Sequence, residues 1–247
     1  MKLVRLASGR GGTAVVVIPG FMTEASDQAG YAASLRGGRF GGDIWAVRWP
    51  SGSPLEMVAA GGGTAMAAGL LVKLLALGPV AWPLVVAGGA AAGWGYWQSK
   101  VRLARTIAPQ VRKRLHELRR YHGYRKVVLL AHSLGAELTW TMLETARYIP
   151  FDRLVLLGGA SSATDGCWDS LEIEAEVYNV GHRNDWVLKF FYLVAEREVP
   201  LGLADAGGQL INVDAGGMAL PDGGHTYHPL FRHWESPHRW RPSDFES

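Results

Sequence analysis

Val127-Val128-Leu129-Leu130-Ala131-His132-Ser133-Leu134-Gly135-Ala136 decides the architecture. The apolar run predicts a buried strand. Leu138, Met142 and Ala146 at helical spacing predict an amphipathic helix beginning directly after Ser133. A strand that turns into a helix at a single residue forces that residue into a strained conformation, so the positions two before and two after it must be small. Ala131 and Gly135 meet the requirement, with Ala a mild departure from the usual glycine. The turn also offers the N–H groups of the new helix to whatever the serine attacks, where they favour negative charge. Ser133 therefore reads as a nucleophile, with the N–H of Leu134 as one oxyanion donor.

A serine hydroxyl is a poor nucleophile until a base takes its proton and an acid holds that base. Both partners are expected later in the chain, each just past a strand. Asp185 follows Glu176–Val180 within Asn184-Asp185-Trp186-Val187, and His225 follows Leu210–Val213 within Gly223-Gly224-His225-Thr226. Asp165 is the alternative acid and His228 the alternative base. The paired glycines favour His225 by freeing its backbone to approach the serine. His132 reads as a locally bonded or packed side chain. A second oxyanion donor is expected in the loop after the first central strand, at Ile18-Pro19-Gly20-Phe21, through the N–H of Phe21.

Working outward, short apolar runs ending in Gly, Ser, Asn or Asp alternate with helical segments. Residues 14–18, 44–49, 126–131, 153–157, 176–180 and 210–213 read as strands, with 2–6 as an added edge strand. Fully apolar, β-branched runs separated by helices predict a mostly parallel sheet covered on both faces, an α/β fold with its chemistry at the strands' carboxyl ends. One domain over 1–247 is expected.

One insertion departs from this pattern. The 41 residues Met57–Trp97 carry a single charge, Lys73, and 20 of them are Gly or Ala. Leu74–Trp97 would reach about 36 Å as one helix, long enough for a bilayer core, but Pro79 and Pro83 predict a break and place the clean helix at Pro83–Trp97. The segment is read either as a membrane-associated hairpin or lid, or as a hairpin packed on protein. Lys100–Lys126 then carries ten Lys or Arg against one acid, Glu117. Ala104, Ile107, Val111, Leu115 and Leu118 form an apolar stripe along it, and Pro109 predicts a kink or two helical pieces. The cations read first as a solvated helix face and second as a surface for anionic lipid headgroups.

Composition sets the outer limits. Of 247 residues 48% are apolar and 19% charged, which excludes a disordered chain. A single cysteine, Cys167, excludes a disulfide framework and a cysteine zinc site. Net charge +3, without aromatics interleaved among the cations, gives no case for nucleic acid. The first apolar run, 13–18, is too short for a secretory signal, so a cytoplasmic or membrane-associated location is expected. No cofactor or metal is called for, and oligomeric state is not legible.

Taken together, these residues resemble the α/β-hydrolase superfamily. The likeness is carried by Ile18-Pro19-Gly20-Phe21, Arg48-Trp49, Ala131-His132-Ser133-Leu134-Gly135-Ala136, Asn184-Asp185-Trp186-Val187-Leu188 and Asn212-Val213-Asp214 leading to Gly224-His225. Within it, the chain is similar to the transmembrane-and-coiled-coil-domain branch of predicted serine hydrolases. That resemblance implies a Ser-Asp-His triad and membrane association, and no particular substrate. The expected function is hydrolysis of carboxylic esters, with lipid or other apolar acyl groups suggested by the insertion. A non-catalytic membrane-associated scaffold and an acyltransferase built on the same triad are the alternatives.

Overall fold

In a computed structural model the chain is described over residues 1–21, 25–52, 82–145, 150–163, 168, 174–216, 218, 220, 224–227 and 230. Seven strands form one sheet: β1 (Lys2–Ala7), β2 (Thr13–Ile18), β3 (Asp43–Arg48), β4 (Lys126–His132), β5 (Arg153–Leu157), β6 (Glu176–Gly181) and β7 (Ile211–Asp214). Their order is β1-β3-β2-β4-β5-β6-β7. Only β1 runs antiparallel to its neighbour; every other pairing is parallel. Each predicted strand is present, with its ends shifted by a residue or so.

The side-chain alternation of β2 and β4 splits the core in two. Val16, Ile18, Leu129 and Ala131 face one cluster, while Val15, Val17, Val128 and Leu130 face the other. Helix α1 (Ala25–Gly37) covers the second with Tyr31 and Leu35. Helices α2 (Trp82–His122) and α3 (Leu134–Glu144) cover the first. A mostly parallel sheet clad on both faces, with the strand–serine–helix turn leaving its middle strand, is the α/β-hydrolase fold.

Helix α2 excludes one of the two outcomes expected at Pro109, a division into two helical pieces. The apolar end of the insertion and the cationic block form a single helix of 41 residues that continues through Pro109. Pro83 falls at its second residue, where a missing N–H costs nothing. Pro109 lies on the exposed side, where water reaches a carbonyl that has lost its partner. The anticipated stripe is buried as read: Ala104, Ile107, Val111, Leu115 and Leu118 all join the core. Residues 57–81 of the insertion lie outside the described residues. Among the described residues no helix is long and apolar enough to cross a membrane.

The antiparallel edge is pinned by a polar cluster. Tyr124, just before β4, donates its hydroxyl to Asp43 Oδ2, while Gly9 N–H reaches Asp43 Oδ1 at 2.6 Å and Trp45 Nε1 reaches the Tyr124 oxygen at 3.1 Å. Burial acts to raise the Asp43 carboxyl, but the Tyr124 and Gly9 donors and Arg5 outweigh it and hold the group below its ordinary range. Burial, aided by the bond to Asp43, pushes the Tyr124 hydroxyl up to about 12. An unfolded tyrosine ionises near pH ~10, so the folded chain keeps a proton that the unfolded chain has released. The stabilisation from Tyr124 is therefore complete below about pH 10 and lost as the pH rises towards 12. Urea midpoints measured across this window are expected to fall less steeply for Tyr124→Phe than for the parent chain.

Candidate active site

The site forms where β2, β4, β6 and β7 end. Ser133 adopts φ 52 and ψ −122 between β4 and α3. Three backbone hydrogen bonds hold it there: Ser133 N–H to Leu157 O (3.0 Å), Ala160 N–H to Ser133 O (3.0 Å) and Ala136 N–H to Ser133 O (2.9 Å). The small-residue requirement is met by contact. A Cβ on Gly135 would stand 2.4 Å from Ile18 O, so α3 begins hard against the end of β2. The first N–H groups of any helix lack intrahelical partners, and that of Leu134 opens α3.

The loop after β2 lies on the serine. A Cβ on Gly20 would come 2.5 Å from Ser133 Cβ and 3.2 Å from its Oγ. Only glycine lets this backbone approach so closely, and Phe21 follows at once. The loop is held from behind by Trp49, directly after β3, whose Nε1 donates to Pro19 O at 3.1 Å. The Phe21 ring packs on Trp97 (5.3 Å, edge-on) and Tyr96 (5.7 Å), so the body-facing part of α2 walls this side of the site with aromatics.

Asp185 and His225, 40 residues apart in the chain, meet here: His225 Nδ1 lies 2.7 Å from Asp185 Oδ2. Asp185 is fully buried. Its other oxygen, Oδ1, accepts the N–H of Leu188 at 3.0 Å, capping the helical segment that follows as an N-cap does. The approach of His225 is set by Gly224. Its φ is 97, and a Cβ there would fall 2.5 Å from His182 Nδ1. Among the described residues no hydrogen bond joins Ser133 Oγ to His225. The His225 ring stands instead 4.9 Å from the ring of His132, the residue before the serine. Bonds between nucleophile and base are commonly long without substrate and tighten in the Michaelis complex. The alternative residues Asp165 and His228 lie outside the described residues, as does Cys167.

Two side chains at the site were not singled out as functional in the sequence. Tyr227, buried two residues past the base, has its hydroxyl 3.4 Å from Asp185 Oδ2. Burial first, and then the neighbouring Asp185 carboxylate, push that hydroxyl well above its ordinary range, so it stays protonated and donates. Trp49 is the other; the sequence offered it only within the Arg48-Trp49 pair of the resemblance, with no role attached. Among the described residues no group of three His, Cys, Asp or Glu side chains converges as a metal site would.

No family model and no curated protein matches the chain. Solved structures share its outline at low identity. A predicted CIB-like hydrolase from Thermoplasma acidophilum is 10% identical with a TM-score of 0.45, covering 94% of this chain and 86% of its own. An α/β hydrolase enzyme from the sediment metagenome of the lagoon of Mar Chica, Morocco, is 14% identical with a TM-score of 0.44, covering 97% of each chain. An uncharacterised protein from Capnocytophaga ochracea is 10% identical with a TM-score of 0.43, covering 94% of this chain and 58% of its own.

The close approach of the β2 loop to Ser133 can be tested with one methyl group. Gly20→Ala places a Cβ against Ser133 Cβ and 2.9 Å from His132 O, neither of which can swing aside. A cost of about 1–3 kcal/mol is expected in urea unfolding. Gly30→Ala in α1, where a Cβ meets nothing within 4 Å, should be neutral or stabilising by up to about 1 kcal/mol.

Proposed function

We propose that the chain is a serine hydrolase acting on carboxylic esters with apolar acyl groups. The observation that carries this reading is the buried Asp185 paired at 2.7 Å with the His225 ring, which lies 4.9 Å from the ring of His132, the residue before a serine held at φ 52. A carboxylate accepts, so His225 Nδ1 bears the hydrogen and its Nε2 keeps a lone pair for the serine proton.

In this mechanism His225 Nε2 takes the Ser133 proton as Oγ attacks the ester carbonyl. The charge that develops on the carbonyl oxygen is met by the N–H groups of Phe21 and Leu134, donors fixed by the β2 loop and the start of α3. The imidazolium returns its proton to the departing alkoxide, leaving an acyl-enzyme. Water then adds to that acyl group, with His225 taking its proton, and the acid is released with Ser133 restored. Asp185 stabilises the charged imidazole and keeps its tautomer. The wall of Phe21, Tyr96 and Trp97 supports an apolar acyl preference by offering aromatic surface next to the oxyanion donors. The Asn184–Leu188 string and the Gly224–His225 pair support kinship with the transmembrane-and-coiled-coil-domain branch, and contact with a membrane surface is part of the same proposal.

Labelling by a fluorophosphonate probe and turnover of short p-nitrophenyl esters test it. Wild type should take the probe and Ser133→Ala should not. His225→Ala and Asp185→Asn should each lower kcat by about 10⁴-fold, the usual cost of losing the base or its tautomer control. Equal labelling of wild type and Ser133→Ala would falsify the assignment. A wild type that resists both probe and ester would favour the non-catalytic scaffold.

A further inference from the structure

Resting on the serine-hydrolase reading, we propose that His132 is a positioning residue for the catalytic base. Its Nε2–H holds the main-chain carbonyl of His225, and so fixes the base relative to Ser133.

His132 ends β4 with only 9% of its surface exposed, and its Nε2 lies 2.9 Å from His225 O, 93 residues along the chain. A carbonyl oxygen only accepts, so Nε2 must carry the hydrogen. In the neutral ring that makes Nδ1 the acceptor, and the hydroxyl of Tyr31 lies 3.1 Å from it, on α1 and itself buried. Both ring nitrogens are thus engaged in one orientation. The ring also packs 4.9 Å from that of His225 and 5.8 Å from that of Tyr227.

The anchor is rigid, because β4 is paired on both sides, with Ile18 beside Ala131 and Leu157 beside His132. The base has no such support from its own segment. It follows Gly224 at φ 97 and belongs to no strand. Two holds fix it instead: Asp185 at the ring's Nδ1, and His132 at the main chain of the same residue. One point would leave the imidazole free to swing about that bond; two points determine where Nε2 stands. The residue that supplies the second hold is covalently adjacent to the nucleophile, so serine and base move as one body.

Removing the hold should act on the chemical step more than on binding. A misplacement of about 1 Å costs on the order of 10²-fold in rate. His132→Phe keeps the ring's bulk and removes the donor. His132→Gln keeps an N–H at about the same reach. At matched thermal stability, His132→Phe should lower kcat and the fluorophosphonate labelling rate by roughly 10- to 100-fold. KM should stay within about threefold, and His132→Gln should stay within a fewfold of wild type. Labelling of His132→Phe at the wild-type rate overturns this inference alone, as does a His132→Gln variant as slow as His132→Phe. A wild type that takes no probe at Ser133 overturns the hydrolase reading and this inference with it. Should His132→Phe not fold, imidazole nitrogen NMR of the wild type decides. A His132 Nε2–H tautomer with a slowly exchanging proton supports the hold, and an Nδ1–H tautomer overturns it.

Discussion

Ser133 holds a left-handed φ that a residue with a side chain rarely adopts, and the rest of the site is arranged around that one conformation. Strain of this kind costs about 1–3 kcal/mol and survives only where the surroundings leave no alternative. Here the N–H is taken by Leu157 of β5, and the carbonyl by Ala136 and Ala160, all at 2.9–3.0 Å. Relaxing the turn would break bonds to two other elements at once. The neighbouring glycines follow from it. Gly135 has no Cβ because Ile18 O occupies its place, and Gly20 has none because the serine does. The geometry of Ser133 is thus a property of three adjacent strands rather than of one loop.

Burying Asp185 completely is a second constraint, and it is met by satisfying the carboxylate. A buried unpaired charge costs several kcal/mol, so each oxygen needs donors. Leu188 N–H serves one oxygen, and His225 and Tyr227 serve the other. The same carboxylate that starts the Trp186–Glu196 helical segment therefore also orients the imidazole. In the proposed mechanism structural and chemical roles coincide on this one group, and its burial is balanced by donors fixed in place.

Much of this was legible in the sequence, and the unread remainder shares a physical cause. The strands were readable because each is an uninterrupted apolar, β-branched run closed by a turn residue, and burial on both faces demands that composition. The serine turn was readable because its steric rule acts within five residues. Asp185 and His225 were readable from chain order and their places past β6 and β7, and the structure joins them. The unbroken run of α2 past Pro109 was one of two readings left open, because proline breaks helices in general and only its exposed position makes it harmless here. The bonds from Trp49 to Pro19 O, Tyr227 to Asp185 and His132 to His225 O could not be read at all. They join residues 30, 42 and 93 positions apart, and nothing local encodes them.

Those three bonds have a common logic. Among the described residues, Pro19, Asp185 and His225 lie in no strand, so each takes a partner reaching in from elsewhere in the fold. In every case the donor is an aromatic ring. A buried ring has few rotatable bonds to immobilise and keeps its polar tip at a fixed distance from a well-packed base. Trp49 packs in the core cluster shared with α2, and Tyr227 in the opposite cluster shared with α1. The loop after β2 and Asp185 are therefore steadied from opposite faces of the sheet. Loss of packing on either face would reach the candidate site through the polar tip of one of these rings.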